Sequence, residues 1–256
     1  MSLLTMPRKI ARAFLLLALC LWPQIATAET LSGSNVDSRV IVGLKVDTAG
    51  LATLMPEGWE PVAFPGGPIK GANMLFALID GVHEMDAEGK PLDPASRRAV
   101  VFVGMGRKGE TVRQFVLKIL TTVPQRNPYG VASAAEIERS RTVSGLANGA
   151  RAVSDNWRIA PAEGGEVTFN LDYTTGRRAW MPGELFPYSA ADTDFSRIYR
   201  FNQLVDLVVS TALGKPSSGT FELSNSVDGL QGILNGSEET VAVIDIPVYV
   251  RQVYLP

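Results

Sequence analysis

From Val40 to Val46 the chain alternates cleanly: Val40, Val42, Leu44 and Val46 share one face, while Gly43 and Lys45 take the other. That is the period of a strand with one buried side. Asp47 or Thr48 can cap a short helical turn carrying Leu51, Leu54 and Met55, and Pro56 stops it. Similar β-runs follow at Asn73 to Asp86, Ala99 to Met105 and Thr111 to Thr122, where Phe115, Leu117 and Ile119 alternate against Gln114, Val116 and Lys118. Further runs lie at Arg151 to Ile159, Glu166 to Tyr173, Thr220 to Leu223 and Thr240 to Tyr254. The last puts Ala242, Ile244, Ile246, Val248 and Val250 on one face, and Pro247 marks a bulge or an edge. Turn signals at Asp86 to Lys90 and Ala162 to Gly165 join neighbours as hairpins. The expectation is a mainly β, α+β chain of about eight to ten strands with a few short helices, in an antiparallel barrel or a sandwich.

Between these runs, Trp59 to Pro68 is a Pro/Gly-rich wrapping loop whose Trp59 and Phe64 are expected to dock on the core. Ser133 to Glu136 has capping-box spacing and predicts a short helix. Ile198, Phe201, Val205, Val208 and Ala212 fall at helical spacing, although the same stretch also alternates, and a helix is preferred. Asp228 to Leu234 reads as a helical turn, and Gly176 to Asp194 as a polar loop carrying Trp180, Phe186 and Tyr188.

Residues 1–28 have the three parts of a secretory signal: basic Arg8, Lys9 and Arg12, an apolar run from Ala13 to Trp22, and Ala26-Thr27-Ala28 before Glu29. The apolar run is too short to span roughly 30 Å of hydrocarbon. A periplasmic or secreted protein cleaved after Ala28 is expected, with a flexible start over 29–38 and a single β-rich domain over 39–256. Cleavage removes Cys20, the one cysteine, and with it any disulfide, thiolate nucleophile or cysteine-ligated zinc. Those 28 residues hold three of the 24 basic and none of the 26 acidic side chains, so the remainder carries a net charge of −5. Nucleic acid is therefore an unsuitable partner, and no stable membrane span is expected; an oligomer is compatible with the sequence.

Catalytic signals are sparse. His83 is the one histidine, which rules out multi-histidine metal sites, and no nucleophile elbow or orienting group accompanies it. Gly104-Met105-Gly106-Arg107-Lys108-Gly109 has the spacing of a dinucleotide fingerprint, but it sits at a β-turn with no helix to follow. No cofactor or metal is expected. Lysine chemistry needs an ammonium whose pKa is lowered by burial or a neighbouring cation. After the signal the lysines are Lys45, Lys70, Lys90, Lys108, Lys118 and Lys215. Lys90 and Lys108 lie in turns, leaving Lys70, between two glycine-rich turns, and Lys118, within a strand, as candidate nucleophiles.

The opening strand, the helical turn and Leu54-Met55-Pro56-Glu57-Gly58, together with the closing pattern Val241 to Tyr254 after Phe221-Glu222-Leu223, resemble the acetoacetate decarboxylase-like superfamily. The resemblance covers the two ends of the chain. It implies a β-rich cone or barrel around an apolar cavity, with a lysine forming a Schiff base to a keto acid beside a second basic residue. The chain departs from the pattern where the family carries tyrosine-proline-lysine-lysine: Arg126 to Arg141 contains no lysine. Arg126, Tyr129, Glu136 and Arg139 remain there as anion or hydrogen-bonding contacts. Three functions follow as expectations: an exported barrel binding a small, largely apolar carbonyl or carboxylate compound without the Schiff-base lysine; a carbon–carbon lyase of decarboxylase type using Lys70 or Lys118; and an envelope structural or interaction module using Gly176 to Asp194.

Overall fold

The computed structural model describes residues 29–256, so the expected signal peptide lies outside the described residues. The strands in chain order are β1 (Thr30–Lys45), β2 (Glu60–Val62), β3 (Met74–Met85), β4 (Arg97–Lys108), β5 (Thr111–Thr121), β6 (Ala132–Ser144), β7 (Ala152–Pro161), β8 (Val167–Thr174), β9 (Ala179–Leu185), β10 (Tyr188–Ser189), β11 (Ile198–Ser210), β12 (Gly219–Asn225) and β13 (Glu239–Leu255). One five-residue helix, α1 (Thr48–Ala52), and two single 3-10 turns complete them. The mainly β expectation holds, with 13 strands rather than about eight to ten. They pair in the order β12-β8-β7-β6-β5-β4-β3-β1-β13-β11-β9, with β2 on β4 and β10 on β5. The path is open, ending at β12 and β9. Nearly all neighbours are antiparallel; β5 and β6 meet in a short parallel pairing, Ile119 to Thr121 against Ala132 to Ala134, which joins a long limb to the smaller β6-β7-β8-β12 limb.

The two limbs pack face to face. Val40, Val42, Leu44, Phe76, Leu78 and Phe102 of the long limb meet Ile137, Trp157, Ile159, Phe169 and Leu171 of the small one. Each such fully buried side chain contributes about 1.5–3 kcal/mol by leaving water. Asp47 is the cap of α1, its Oδ2 accepting from Gly50 N at 2.7 Å, and α1 buries Leu51. Asn73 ties β3 to the end of β1: its Oδ1 accepts from Val46 N at 2.8 Å and its Nδ2 donates to Val46 O at 2.9 Å. Trp59 docks edge-on against Phe115, with ring centroids 4.7 Å apart, and Phe64 is buried with Ala72 and Leu75.

Four local expectations are corrected. Of the expected flexible start over 29–38, residues 30–38 are strand, because β1 starts at Thr30 and pairs with β13 from its first residue; Ser, Gly and Asn there are tolerated because β13 supplies the ladder partners. Ser133 to Glu136 is β6, since its Ala135 and Ile137 are required at period two against β7. Ile198 to Ser210 is β11, held between β9 and β13, so tertiary pairing overrides the helical spacing. Gly176 to Asp194 contains β9 and β10.

β-Bulges decide which side chains face inward. On β13, Ile246 pairs with Arg39 and Tyr249 with Asp37, leaving Pro247 and Val248 opposite Ser38. Pro247 has no N–H to give to a ladder, and the extra residue reverses the alternation beyond it. Tyr249 is therefore buried with Ile244 and Ile246, whereas Val250, expected on that face, is 45% exposed. Comparable shifts lie on β3, where His83 pairs with Val36 but Gly81 with Asp37, and on β5, where Lys118 pairs with Phe102 but Val116 with Val103.

Candidate functional site

The second face of the long limb curls over on itself. Ile41 of β1, Leu75, Ala77 and Ile79 of β3, Ala99, Val101 and Val103 of β4, and Val116 and Ile119 of β5 wall an inner cavity of about 160 Å³. Leu185 and Pro187 from the end of β9, Tyr199 of β11 and Tyr249 of β13 close it. Alternation on β1, β3 and β4 sends odd-numbered residues here while their even-numbered neighbours fill the core between the limbs. The bulge in β5 brings both Val116 and Ile119 to the cavity, and those in β3 and β13 deliver Glu84 and Arg251 to its rim.

The polar groups are arranged in two layers. Deep in the site, Arg39 grips Asp37, Nε to Oδ1 at 2.8 Å and Nη2 to Oδ2 at 2.5 Å, and its guanidinium lies 3.4 Å from the Tyr249 ring centroid. Asp37 Oδ2 also accepts from Asn35 Nδ2, which links the pair through the Asn35 amide to Arg251 at the rim. At the rim, Glu84 accepts from Arg97 Nε at 2.7 Å and Arg126 Nη1 at 2.9 Å. Arg251 donates through Nε to Asn35 Oδ1 at 2.8 Å and lies 4.1 Å from the Tyr199 ring centroid. Arg197 Nε is buried without a hydrogen-bond partner. Among the described residues no carboxylate lies within the ion-pair distance of Arg197 or Arg251.

The Tyr129 and Tyr199 hydroxyls are 2.6 Å apart. Burial, then the neighbouring Tyr199, pushes the Tyr129 phenol well above its ordinary range, with Arg251 and Arg197 opposing. Burial likewise raises Tyr249. For Arg251, burial disfavours the charge, but Tyr199, Tyr249 and Asp37 outweigh it and its pKa rises. At neutral pH the Tyr129 and Tyr249 phenols therefore keep their protons, and Arg251 keeps its charge.

An outer basin of about 280 Å³ adjoins the cavity, bounded by Ser32, Ser34, Asn35, Met85, Leu92 and Val253. Glu84, Arg97, Arg126, Pro128, Arg197 and Arg251 line both spaces.

Of the residues singled out in the sequence, Arg126 and Tyr129 line the inner cavity. Glu136 is exposed on β6. Arg139 is instead part of an ionic cluster between the limbs, donating to Asp155 Oδ1 and Oδ2 at 2.8 and 2.7 Å and to Ser38 Oγ at 2.5 Å. Lys70 is exposed in the wrapping loop. Lys118 points to the opposite face of β5, where Nζ reaches Glu163 Oε1 at 3.2 Å. No lysine is among the described residues lining the cavity. Among the described residues, no group of three or more His, Cys, Asp or Glu is placed to hold a metal ion. Arg39, Glu84, Arg97, Arg197 and Arg251 were missed. The Asp37-x-Arg39 spacing was a readable signal, since residues two apart on a strand share a face; bulges hid Glu84 and Arg251.

Among solved structures, the chain is similar to an acetoacetate decarboxylase-like enzyme from Sphingomonas wittichii RW1, with 14% identity, 89% of this chain and 91% of that chain covered, and a TM-score of 0.54. The chain has the acetoacetate decarboxylase-like fold. Its likeness to the enduracididine biosynthesis enzyme MppR complexed with pyruvate has 12% identity over 91% of both chains, with a TM-score of 0.52. No protein-family model and no curated protein matches the sequence. An acetoacetate decarboxylase-like fold can host different chemistries, so function is argued from the site's own residues.

Proposed function

We propose that this is an exported binding protein of the acetoacetate decarboxylase-like fold that takes a small, largely apolar carboxylate or carbonyl compound without a Schiff-base lysine. One observation carries the reading: five arginines, Arg39, Arg97, Arg126, Arg197 and Arg251, face two carboxylates, Asp37 and Glu84, around a cavity walled mostly by aliphatic side chains and the rings of Tyr129, Tyr199 and Tyr249. Excess guanidinium charge in a partly desolvated site favours an anion, and an apolar wall favours a hydrocarbon body. Export rests on the pattern of residues 1–28; a periplasmic protein whose N-terminal sequencing starts at Glu29 is the expected result.

Isothermal titration with pentanoate and 2-oxopentanoate tests the binding, together with borohydride reduction in the presence of the keto acid. Saturable binding that weakens with salt, and no mass added to any lysine, is expected. A keto-acid-dependent label on a lysine would replace this reading with the lyase. The interaction-module alternative is favoured by β9, a terminal strand of the sheet on which Trp180 and Met181 are 56% and 48% exposed. A co-purifying envelope protein lost from a Trp180→Ser/Met181→Ser variant would support it.

A further inference from the structure

The inner cavity and the outer basin share a polar partition, and the charge at that partition is unbalanced. Arg97, Arg126, Arg197 and Arg251 stand there against Glu84 alone, a net charge of +3. Deeper in, Arg39 and Asp37 cancel. Arg197 carries a buried Nε with no acceptor, and Arg251 spends its Nε on a neutral amide, that of Asn35. A guanidinium N–H buried without an acceptor is costly, so the partition is where an acidic group would find unmet donors. The walls inward of it are largely aliphatic, apart from the Arg39–Asp37 pair, Gln114 and the tyrosine rings, and the basin outward of it is lined by hydroxyls and an amide from Ser32, Ser34 and Asn35.

We propose that the ligand is an apolar chain ending in a dianionic head, its tail in the inner cavity and its head at the arginine partition with the second acidic oxygens directed to the outer basin. This rests on the binding reading above and deepens it. One carboxylate satisfies one guanidinium bidentately; a group with two negative charges offsets more of the partition's excess than a single carboxylate does. The shared chemistry is a dianion on a short hydrocarbon, and its two sources are a geminal dicarboxylate and a phosphate monoester. Glu84 is then the internal competitor, holding Arg97 and Arg126 when no ligand is present.

The test is titration calorimetry of the full chain with four probes of matched tail: butylmalonate, butyl phosphate, pentanoate and 1-pentanol, at low and high salt. At least one dianion is expected to bind about tenfold or more tighter than pentanoate, with the steeper salt dependence, and 1-pentanol weakest. Preference for butylmalonate or for butyl phosphate assigns the head. Arg197→Gln should reduce the dianion to the level of pentanoate, Arg197→Lys should keep most of the preference, and Glu84→Gln should tighten the dianion severalfold. Circular dichroism of each variant separates lost charge from lost fold, and the Glu84→Gln result stands if Arg197→Gln does not fold. If pentanoate binds as tightly as both dianions, or if the dianion preference survives Arg197→Gln, the dianionic head is refuted while the binding protein stands. If none of the four binds, the binding reading itself falls.

Discussion

Asp155 sits at the centre of the ionic cluster joining the two limbs, and replacing it by alanine tests how that joint is held. Its side chain is fully buried, and it accepts from Arg139 at 2.8 and 2.7 Å and from Arg141 at 2.5 Å. In Asp155→Ala, Arg141 keeps its bidentate contact with Asp245, at 2.8 Å in both bonds, and Arg139 keeps Ser38 and a longer contact to Asp80 at 3.2 Å. Of the two inner carboxylates that faced these guanidiniums, Asp245 alone is left. Removing one partner from a buried ion pair costs about 3–5 kcal/mol, a large share of a total stability of roughly 5–15 kcal/mol. For a chain of this size that is a fall in melting temperature of roughly 6–20 °C. Urea unfolding of Asp155→Ala, Asp155→Asn and the double variant Asp155→Ala/Arg139→Ala measures it. Asparagine should lose about half as much as alanine because one carbonyl acceptor survives. The double variant should show a coupling energy of at least about 1 kcal/mol. A loss below about 1 kcal/mol in Asp155→Ala with an unchanged denaturant slope would refute the reasoning.

Four further outcomes follow. Gly50→Ala should cost about 2 kcal/mol or more in urea unfolding, because its Cβ would lie 1.7 Å from the Gly232 carbonyl oxygen, a backbone atom that cannot move aside cheaply. Deleting Pro247 removes the bulge that turns Tyr249 and Arg251 inward, so carboxylate binding should fall more than tenfold in titration calorimetry while far-ultraviolet circular dichroism stays β-rich. Lys118→Ala should change stability by less than about 1 kcal/mol and leave ligand affinity unaltered, since the partly exposed Lys118–Glu163 pair lies on the other face of β5. The phenols of Tyr129, Tyr173 and Tyr249 are all raised, burial being the first cause in each. The native state therefore holds these protons above pH 10, where the unfolded chain loses them, and stability should be intact below pH 10 and fall as pH rises beyond it, by up to about 1.4 kcal/mol per pH unit for each group. Absorbance near 295 nm should show Tyr129, Tyr173 and Tyr249 ionising only as the protein unfolds.

The sequence by itself determined that this chain is β-rich and where most of its strands lie, because period-two burial is a local signal: Val40, Val42 and Leu44 belong to the core between the limbs on the strength of alternation alone. It also carried the likeness of both ends to the acetoacetate decarboxylase-like fold, and the bulge at Pro247, a residue that cannot donate to a ladder. Tertiary structure alone decided which alternating face encloses a cavity. Ile41, opposite Val40 and Val42, reads as the outer side of a half-buried strand until the long limb curls round and β9, β11 and β13 close over it. It also decided the fate of the charged residues. Arg139 and Arg126 are indistinguishable as letters, yet one is locked between limbs by Asp155 and the other stands at the mouth of the cavity. Glu84 and Arg251 reach that mouth because one extra residue in β3 and in β13 reverses the side on which every later side chain emerges, and such a reversal is fixed by pairing between strands distant in sequence.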